Sequence, residues 1–163
     1  FNISEKEGIV NVLYLELICE LMYVSLGTRP DITFSVSYLS RYLDKPTKQA
    51  WLAGKLILKH LKGIQNLLLP YKVQPGQGIE GFSDVDWAGD SKDRKSTSGS
   101  IIFHKGNPVY WSSKKQTCVA LSTAEAEYMA AAVTTSELLN LRGLANDLGL
   151  IKKTDPLLTI KLL

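Results

Sequence analysis

Two carboxylates stand one residue apart in the stretch GFSDVDWAGD, residues 81–90, where an apolar approach gives way to small, turn-forming residues. On a strand, successive side chains alternate faces, so Asp84 and Asp86 emerge on the same one. Like charges held this close repel unless water or a cation lies between them. A hard divalent ion such as Mg²⁺, which takes oxygen ligands, is the cation such a pair suits. An isolated Asp-x-Asp beside glycine is more often a solvated turn than a metal site. The weight shifts with a second acidic pair, Glu125 and Glu127 in STAEAEYMAAA.

That pair falls on a predicted long helix from Ser122 to about Leu148, and helical geometry puts the two glutamates about 200° apart around its axis. Ser122 with Glu125 three residues on fits a capping box, in which the serine caps an amide and the glutamate bonds back to the cap residue. Glu125 thus has a structural task. Glu127 lies instead at the centre of the stripe formed by Ala130, Ala131, Leu138, Leu141, Ala145 and Leu148, the side of the helix expected to face a sheet. A carboxylate buried there is costly unless paired, hydrogen-bonded or metal-bound. Two readings stay open: a salt bridge, for example to Arg94 or Lys114, and a metal shared with the acids of the strand.

The remaining composition sets bounds. With 163 residues, 45% hydrophobic and 21% charged, the chain holds one ordinary domain, or a small one with an extra piece. A net charge of +3 permits polyanion binding without demanding it. Cys19 and Cys118 lie far apart, and with His60 and His104 they offer no zinc-ligand spacing, so a reduced, intracellular protein is the simplest inference. The apolar run from Ile9 to Leu26 carries Glu16 and Glu20, which favours a packed helix over a membrane span. No signal-peptide pattern opens the chain. Beginning on Phe1 and stopping in LLTIKLL, the sequence reads as excised from a longer polypeptide at both ends.

The elements that must position the acids follow from periodicity and breakers. Leu13, Leu17, Leu21 and Val24 recur at helical spacing over residues 11–26, and GTRPDI ends that helix through Gly27 and Pro30. A second helix is expected from Asp31 to about Leu43. A third opens at Pro46 and presents Trp51, Gly54, Leu58 and Leu61 along one side. Lys48, Lys55, Lys59 and Lys62 fall within about 60° of one another on it. Such a stripe is usually a solvated face, although it also suits a phosphate backbone. Leu67 to Val73, QPGQG and Ile79 to Ser83 read as a hairpin or a linker. Residues 100–104 and 109–113 flank KGNP as strand, turn and strand, giving with the first an antiparallel meander. Gly149 and Pro156 end the long helix, and residues 157–163 read as a further, buried strand.

The run GFSDVDWAGDSKDRKSTSGSIIF, followed by PVYWSSKKQTCVALSTAEAEYMAAA, resembles the ribonuclease H domain of copia-type retrotransposon Pol polyproteins. Upstream, TRPDITFSVSYLSRYLDKPTKQAWLAGKLILKHLKG is similar to the helical end of the reverse transcriptase region that precedes that domain. The likeness covers most of the chain. It implies an α/β, ribonuclease H-like mixed sheet, an antiparallel meander plus a parallel strand, with a long helix. Residues 1–62 would be the helical C-terminal part of the reverse transcriptase-like region, 63–78 a connecting strand and linker, and 79–163 a ribonuclease H-like domain truncated at its C-terminal end. The activity implied is hydrolysis of RNA in RNA/DNA hybrids by carboxylates holding two Mg²⁺ ions. Asp84 matches the family's strand-end aspartate and Glu127, in EYMAA, its helix glutamate; Asp86 belongs to the SDxDW signature as a further candidate ligand. The partners implied are the hybrid and the upstream reverse transcriptase domain, with no membrane, in a cytoplasmic retrotransposon particle. Lys92, Arg94, Lys95, Lys114 and Lys115 are candidate phosphate contacts.

Two departures matter. The family's strand after the long helix ends in a third metal-binding aspartate, and here LLTIKLL stops at Leu163 without one. Asn140 stands where the family usually shows tryptophan. The competing expectation is a catalytically incomplete remnant acting only as a nucleic-acid-binding or packing module. An unrelated helical interaction domain built on residues 11–62 is weaker, because it leaves Glu127 unexplained.

Overall fold

The breakers read from the sequence fall where the helices end. A computed structural model describes residues 3–72, 78–90, 92–150 and 159–162, with the side chains of its first helix from Leu13 onward. The turn expected over 74–77, the stop assigned to Pro156 and the strand residues 157, 158 and 163 lie outside the described residues. The chain divides into two units, Phe1–Leu69 and Pro70–Leu163.

The first unit is helical: α1 spans Ile3–Gly27, a 3-10 turn Pro30–Ile32, α2 Thr33–Ser40 and α3 Lys48–Gly63. The second helix is thus shorter than expected and starts as a 3-10 turn. Thr47 caps α3 by accepting a bond from the Ala50 amide at 3.0 Å, which leaves Pro46 just outside the helix. The core gathers Tyr14, Leu17, Ile18, Leu21, Ile32, Val36, Leu39, Ala50 and Ile57. The buried stripe of α1 is therefore rotated from the expected one, with Tyr14 buried and Leu13 exposed. The Tyr14 hydroxyl, carried inside, donates to the Leu39 carbonyl at 2.8 Å. Across the core, Gly54 lets Leu17 come so close that a Cβ there would stand 2.9 Å from its Cδ2. Arg29 clamps Asp31 through two bonds of 2.8 and 2.7 Å and holds that carboxyl down to about 2, with His60 bonding it from α3. Lys48, Lys55, Lys59 and Lys62 are all exposed.

In the second unit, β1 (Ile79–Asp86), β2 (Thr97–His104) and β3 (Asn107–Lys115) form the meander, α4 (Thr123–Asp147) follows, and β4 (Thr159–Leu162) returns. The sheet order is β3-β2-β1-β4, with β4 parallel to β1 and the other pairs antiparallel. Residues 67–72 form no strand. Instead Tyr71 and Lys72 bond Pro108 and Asn107 at the β2–β3 turn, which favours the linker over the hairpin. The expected burial of the last strand is not found either: β4 is an edge strand in the described sheet, and only Ile160 is partly buried. No helix among the described residues is long and apolar enough to cross a membrane.

One sheet face packs on α4. Ile79, Ile102, Leu138 and Ala145 are its apolar centre. A Cβ at Gly81 would meet Leu138 Cδ1 at 2.5 Å and Thr134 Cγ2 at 3.2 Å, so the helix crosses β1 at this glycine. Pleating then assigns the odd residues of β1 to the helix side and Glu80, Phe82, Asp84 and Asp86 to the other. On that other side Phe82 meets Phe103 edge-on with centroids 5.6 Å apart, and Lys161 Nζ stands 5.2 Å above the Phe82 ring.

Candidate metal centre

The direction of α4 brings the two acidic stretches to one end of the sheet. Thr134 donates to Ser100, the cross-strand partner of Ser83, at 3.0 Å. Eight residues earlier, the Ala126 carbonyl accepts a 3.0 Å bond from Gln116 Nε2, which also reaches Ser98, the partner of Val85, at 2.9 Å. Leu138, further along the helix, is level with Gly81. The helix therefore runs antiparallel to β1, and Glu127 sits at the level where β1 delivers Asp84 and Asp86. Trp87 adds a further tie, its indole donating to the Ala120 carbonyl just ahead of α4 at 3.3 Å.

Glu127 is exposed, against the burial expected for it. The buried positions of α4 are Ala126, Ala130, Thr134, Leu138 and Ala145. Glu127 shares their side of the helix, but seven residues before Thr134 it lies about 10 Å nearer the helix start, where the stripe runs past the sheet's end. Solvent rather than strand meets it there. The desolvation argument for a partner therefore falls, and so does the expected salt bridge: among the described residues Glu127 has no ion pair with Arg94 or Lys114. Asp84 is exposed too, on the pleat face opposite α4. Any cation the two share lies at the rim of the sheet and not between sheet and helix.

Among the described residues neither the Asp84 nor the Glu127 carboxylate has a hydrogen-bond or ion-pair partner in the protein. Unengaged hard oxygen donors at one end of a sheet fit Mg²⁺, which binds through one or two carboxylates and keeps several waters. Asp86 is differently placed. Its carboxylate folds over Gly89 in the turn after β1, where any Cβ would collide with it, and Ala88 in that turn takes a φ of 52°. No three acidic, histidine or cysteine side chains converge among the described residues.

The basic candidates also separate. Lys115 is tied within the protein to Asp90, and to Asp93 at 2.8 Å. The bond to Asp90, aided by that to Asp93, raises its pKa above the ordinary lysine value, while Lys115 in turn lowers that of Asp93. Lys115 therefore braces the loop after β1. Lys92, Arg94 and Lys114 are exposed and Lys95 is half-buried.

Glu125 behaves as a capping residue, with one difference from expectation. Ser122 accepts from the Glu125 amide at 3.1 Å, and the glutamate reaches back to the amide of Leu121, one residue before the cap, at 2.6 Å. We expect Glu125→Ala to lower stability by about 1 kcal/mol or less and to leave divalent-metal affinity unchanged, as read by urea unfolding and Mn²⁺ titration. Loss of metal binding in Glu125→Ala with binding intact in Glu127→Ala would reverse the two assignments.

Sequence patterning does not single out Gln116 or Thr134, and Trp87 stands out there only within the SDxDW signature. Their signal is faint, because a polar residue that ties a helix to a sheet is recognisable only once the register is known.

A mixed sheet with three antiparallel strands and one parallel strand, covered by one long helix, is consistent with a ribonuclease H-like α/β fold. No family model and no solved structure matches the chain. It is 40% identical over 152 residues to the retrovirus-related Pol polyprotein from transposon TNT 1-94 of Nicotiana tabacum, covering 93% of this chain and 11% of that protein. It is 39% identical over 143 residues to the corresponding polyprotein from transposon RE1 of Arabidopsis thaliana, 88% of this chain and 10% of that one. A protein named secreted RxLR effector protein 161, from Plasmopara viticola, is 41% identical over 127 residues, 78% of this chain and 89% of that protein. The chain is thus similar to retrovirus-related transposon Pol polyproteins, and it spans about a tenth of the length of those it matches.

Proposed function

We propose that this chain is part of a ribonuclease H-type nuclease within a retrotransposon Pol polyprotein. It acts on the RNA strand of RNA/DNA hybrids, with Asp84 and Glu127 as metal ligands and catalytic residues. One observation carries the reading: α4 runs antiparallel to β1, so the turn bearing Glu127 lies at the sheet end where Asp84 emerges, and neither carboxylate has a partner among the described residues. The chemistry that bound Mg²⁺ supplies is polarisation of the scissile phosphate and activation of water. Asp84 contributes charge from a central strand, held beside Gly99 of β2. Glu127 contributes charge from a helix turn bonded to the sheet. β4 is parallel to β1 with Leu162 opposite Ser83, so a carboxylate just beyond β4 in a longer polypeptide would join them. Exposed Lys92, Arg94 and Lys114 stand as phosphate contacts, and recognition of the hybrid rests on its wide minor groove with 2′-hydroxyls.

The remnant reading draws on the lack of a three-acid cluster among the described residues. One assay separates the two. A polypeptide continued about ten residues beyond Leu163 in its parent reading frame is incubated with labelled RNA/DNA hybrid, RNA duplex and DNA duplex. We expect Mg²⁺-dependent cleavage of RNA in the hybrid, stopped by chelation, and none of the DNA duplex. Tight hybrid binding without cleavage would sink the nuclease reading and leave the remnant.

A further inference from the structure

We propose that Gln116 is a positioning residue: its carboxamide fixes the N-terminal part of α4 against the sheet end and thereby sets Glu127 relative to Asp84. The proposal rests on the reading of those two carboxylates as metal ligands. Gln116 follows β3 directly, and its own amide donates to the Ser96 carbonyl at 2.8 Å, which fixes its backbone to the start of β2. From there Nε2 donates to Ser98 Oγ at 2.9 Å and to the Ala126 carbonyl at 3.0 Å. The carbonyl only accepts, so the amide nitrogen must face it, and this fixes which end of the carboxamide points at the helix. Ala126 is fully buried, and Glu127 is the next residue.

The bond is thus one peptide unit from the proposed ligand. Oε1, the other end of the carboxamide, is buried without a partner in the protein. A lone buried acceptor disfavours this arrangement on stability grounds alone, so the donated bonds hold the group in place. The side-chain bond from Thr134 to Ser100 lies two turns further on, and the Trp87 indole ties the chain at Ala120, ahead of the helix, so the Gln116 bond is the tie at the turn that carries Glu127.

Residues that orient a ligand from behind typically change metal affinity about 10- to 100-fold when lost. The test uses the polypeptide continued past Leu163, with Gln116→Met, which keeps length and loses both bonds, and Ser98→Ala, which removes one acceptor and keeps the bond to Ala126. Two quantities are read: the backbone amide shifts of Ala126 and Glu127 without metal, and the Mg²⁺ concentration for half-maximal cleavage. For Gln116→Met we expect both amides to move and the Mg²⁺ requirement to rise about tenfold with KM for the hybrid unchanged. For Ser98→Ala neither changes. If Gln116→Met does not fold, Gln116→Asn takes its place, since its shorter side chain reaches one acceptor at most. The amide shifts are recorded without metal, so they test the positioning even where the parent polypeptide proves inactive. Unmoved amides, or a lower melting temperature with an unchanged Mg²⁺ requirement, would overturn the proposal.

Discussion

Asp84→Asn and Glu127→Gln, each in the polypeptide continued past Leu163, are expected to lower hybrid cleavage about a thousandfold while leaving the fold intact. Each substitution keeps shape and removes one negative charge. No hydrogen bond or ion pair among the described residues is lost with it, and both side chains are exposed, so stability is insulated from the change. A thousandfold loss corresponds to about 4 kcal/mol of transition-state stabilisation, a reasonable cost for a ligand to an ion that gives up its water reluctantly. By the same reasoning the 163-residue polypeptide, assayed alone, should cleave as poorly as either variant, because two carboxylates are too few to hold two Mg²⁺ ions. Cleavage by the short and continued forms at equal rates would show that a third acid is dispensable. Full activity in either variant would remove that residue from the site.

The second large effect concerns the packing that carries the site. Gly81→Ala places a methyl group 2.5 Å from Leu138 Cδ1 and 3.2 Å from Thr134 Cγ2, in a core where Leu138 and Thr134 are fully buried. Overfilling such a contact costs about 2 kcal/mol, which in a domain of this size lowers the melting temperature by roughly 10 °C. Because α4 must lift, metal affinity should fall as well. Adding Leu138→Ala opens the space the new methyl needs, so the double variant should be more stable than the sum of the two single changes predicts. Additive losses would mean that α4 does not cross β1 at this glycine.

What the sequence disclosed, and what it hid, follows from the range of the interactions. Ser122 and Gly149 are local signals, and they bound α4 as expected, with Ser122 as the cap and Gly149 at a φ of 67°, whereas the turn expected over KGNP tightens to Lys105 and Gly106, with Asn107 and Pro108 already in β3. Periodicity identified α1 but misjudged its buried side, because Leu13 and Tyr14 are both apolar and only the neighbouring helices decide which of them goes inside. Glu127 shows the limit most clearly. Its azimuth on the helix was legible, but its burial depended on how far the sheet extends beneath α4, which no helical wheel contains. The exposed edge position of β4 and the capture of Lys115 by Asp90 and Asp93 likewise depend on tertiary register. The antiparallel run of α4 along β1, which brings the two acids to one end, is also a property of the fold alone.

If, as proposed, Asp84 and Glu127 share a cation at the rim of the sheet, both must respond to the same bound ion. The most direct test is Mn²⁺ titration of the isotope-labelled protein, followed by paramagnetic broadening of backbone amides. Amides around Asp84 and around Glu127 should broaden together at the same metal concentration, and Glu127→Gln should weaken the broadening at Asp84. Broadening confined to the Asp90–Asp93 loop, or reaching Asp84 while Glu127 stays sharp, would contradict it.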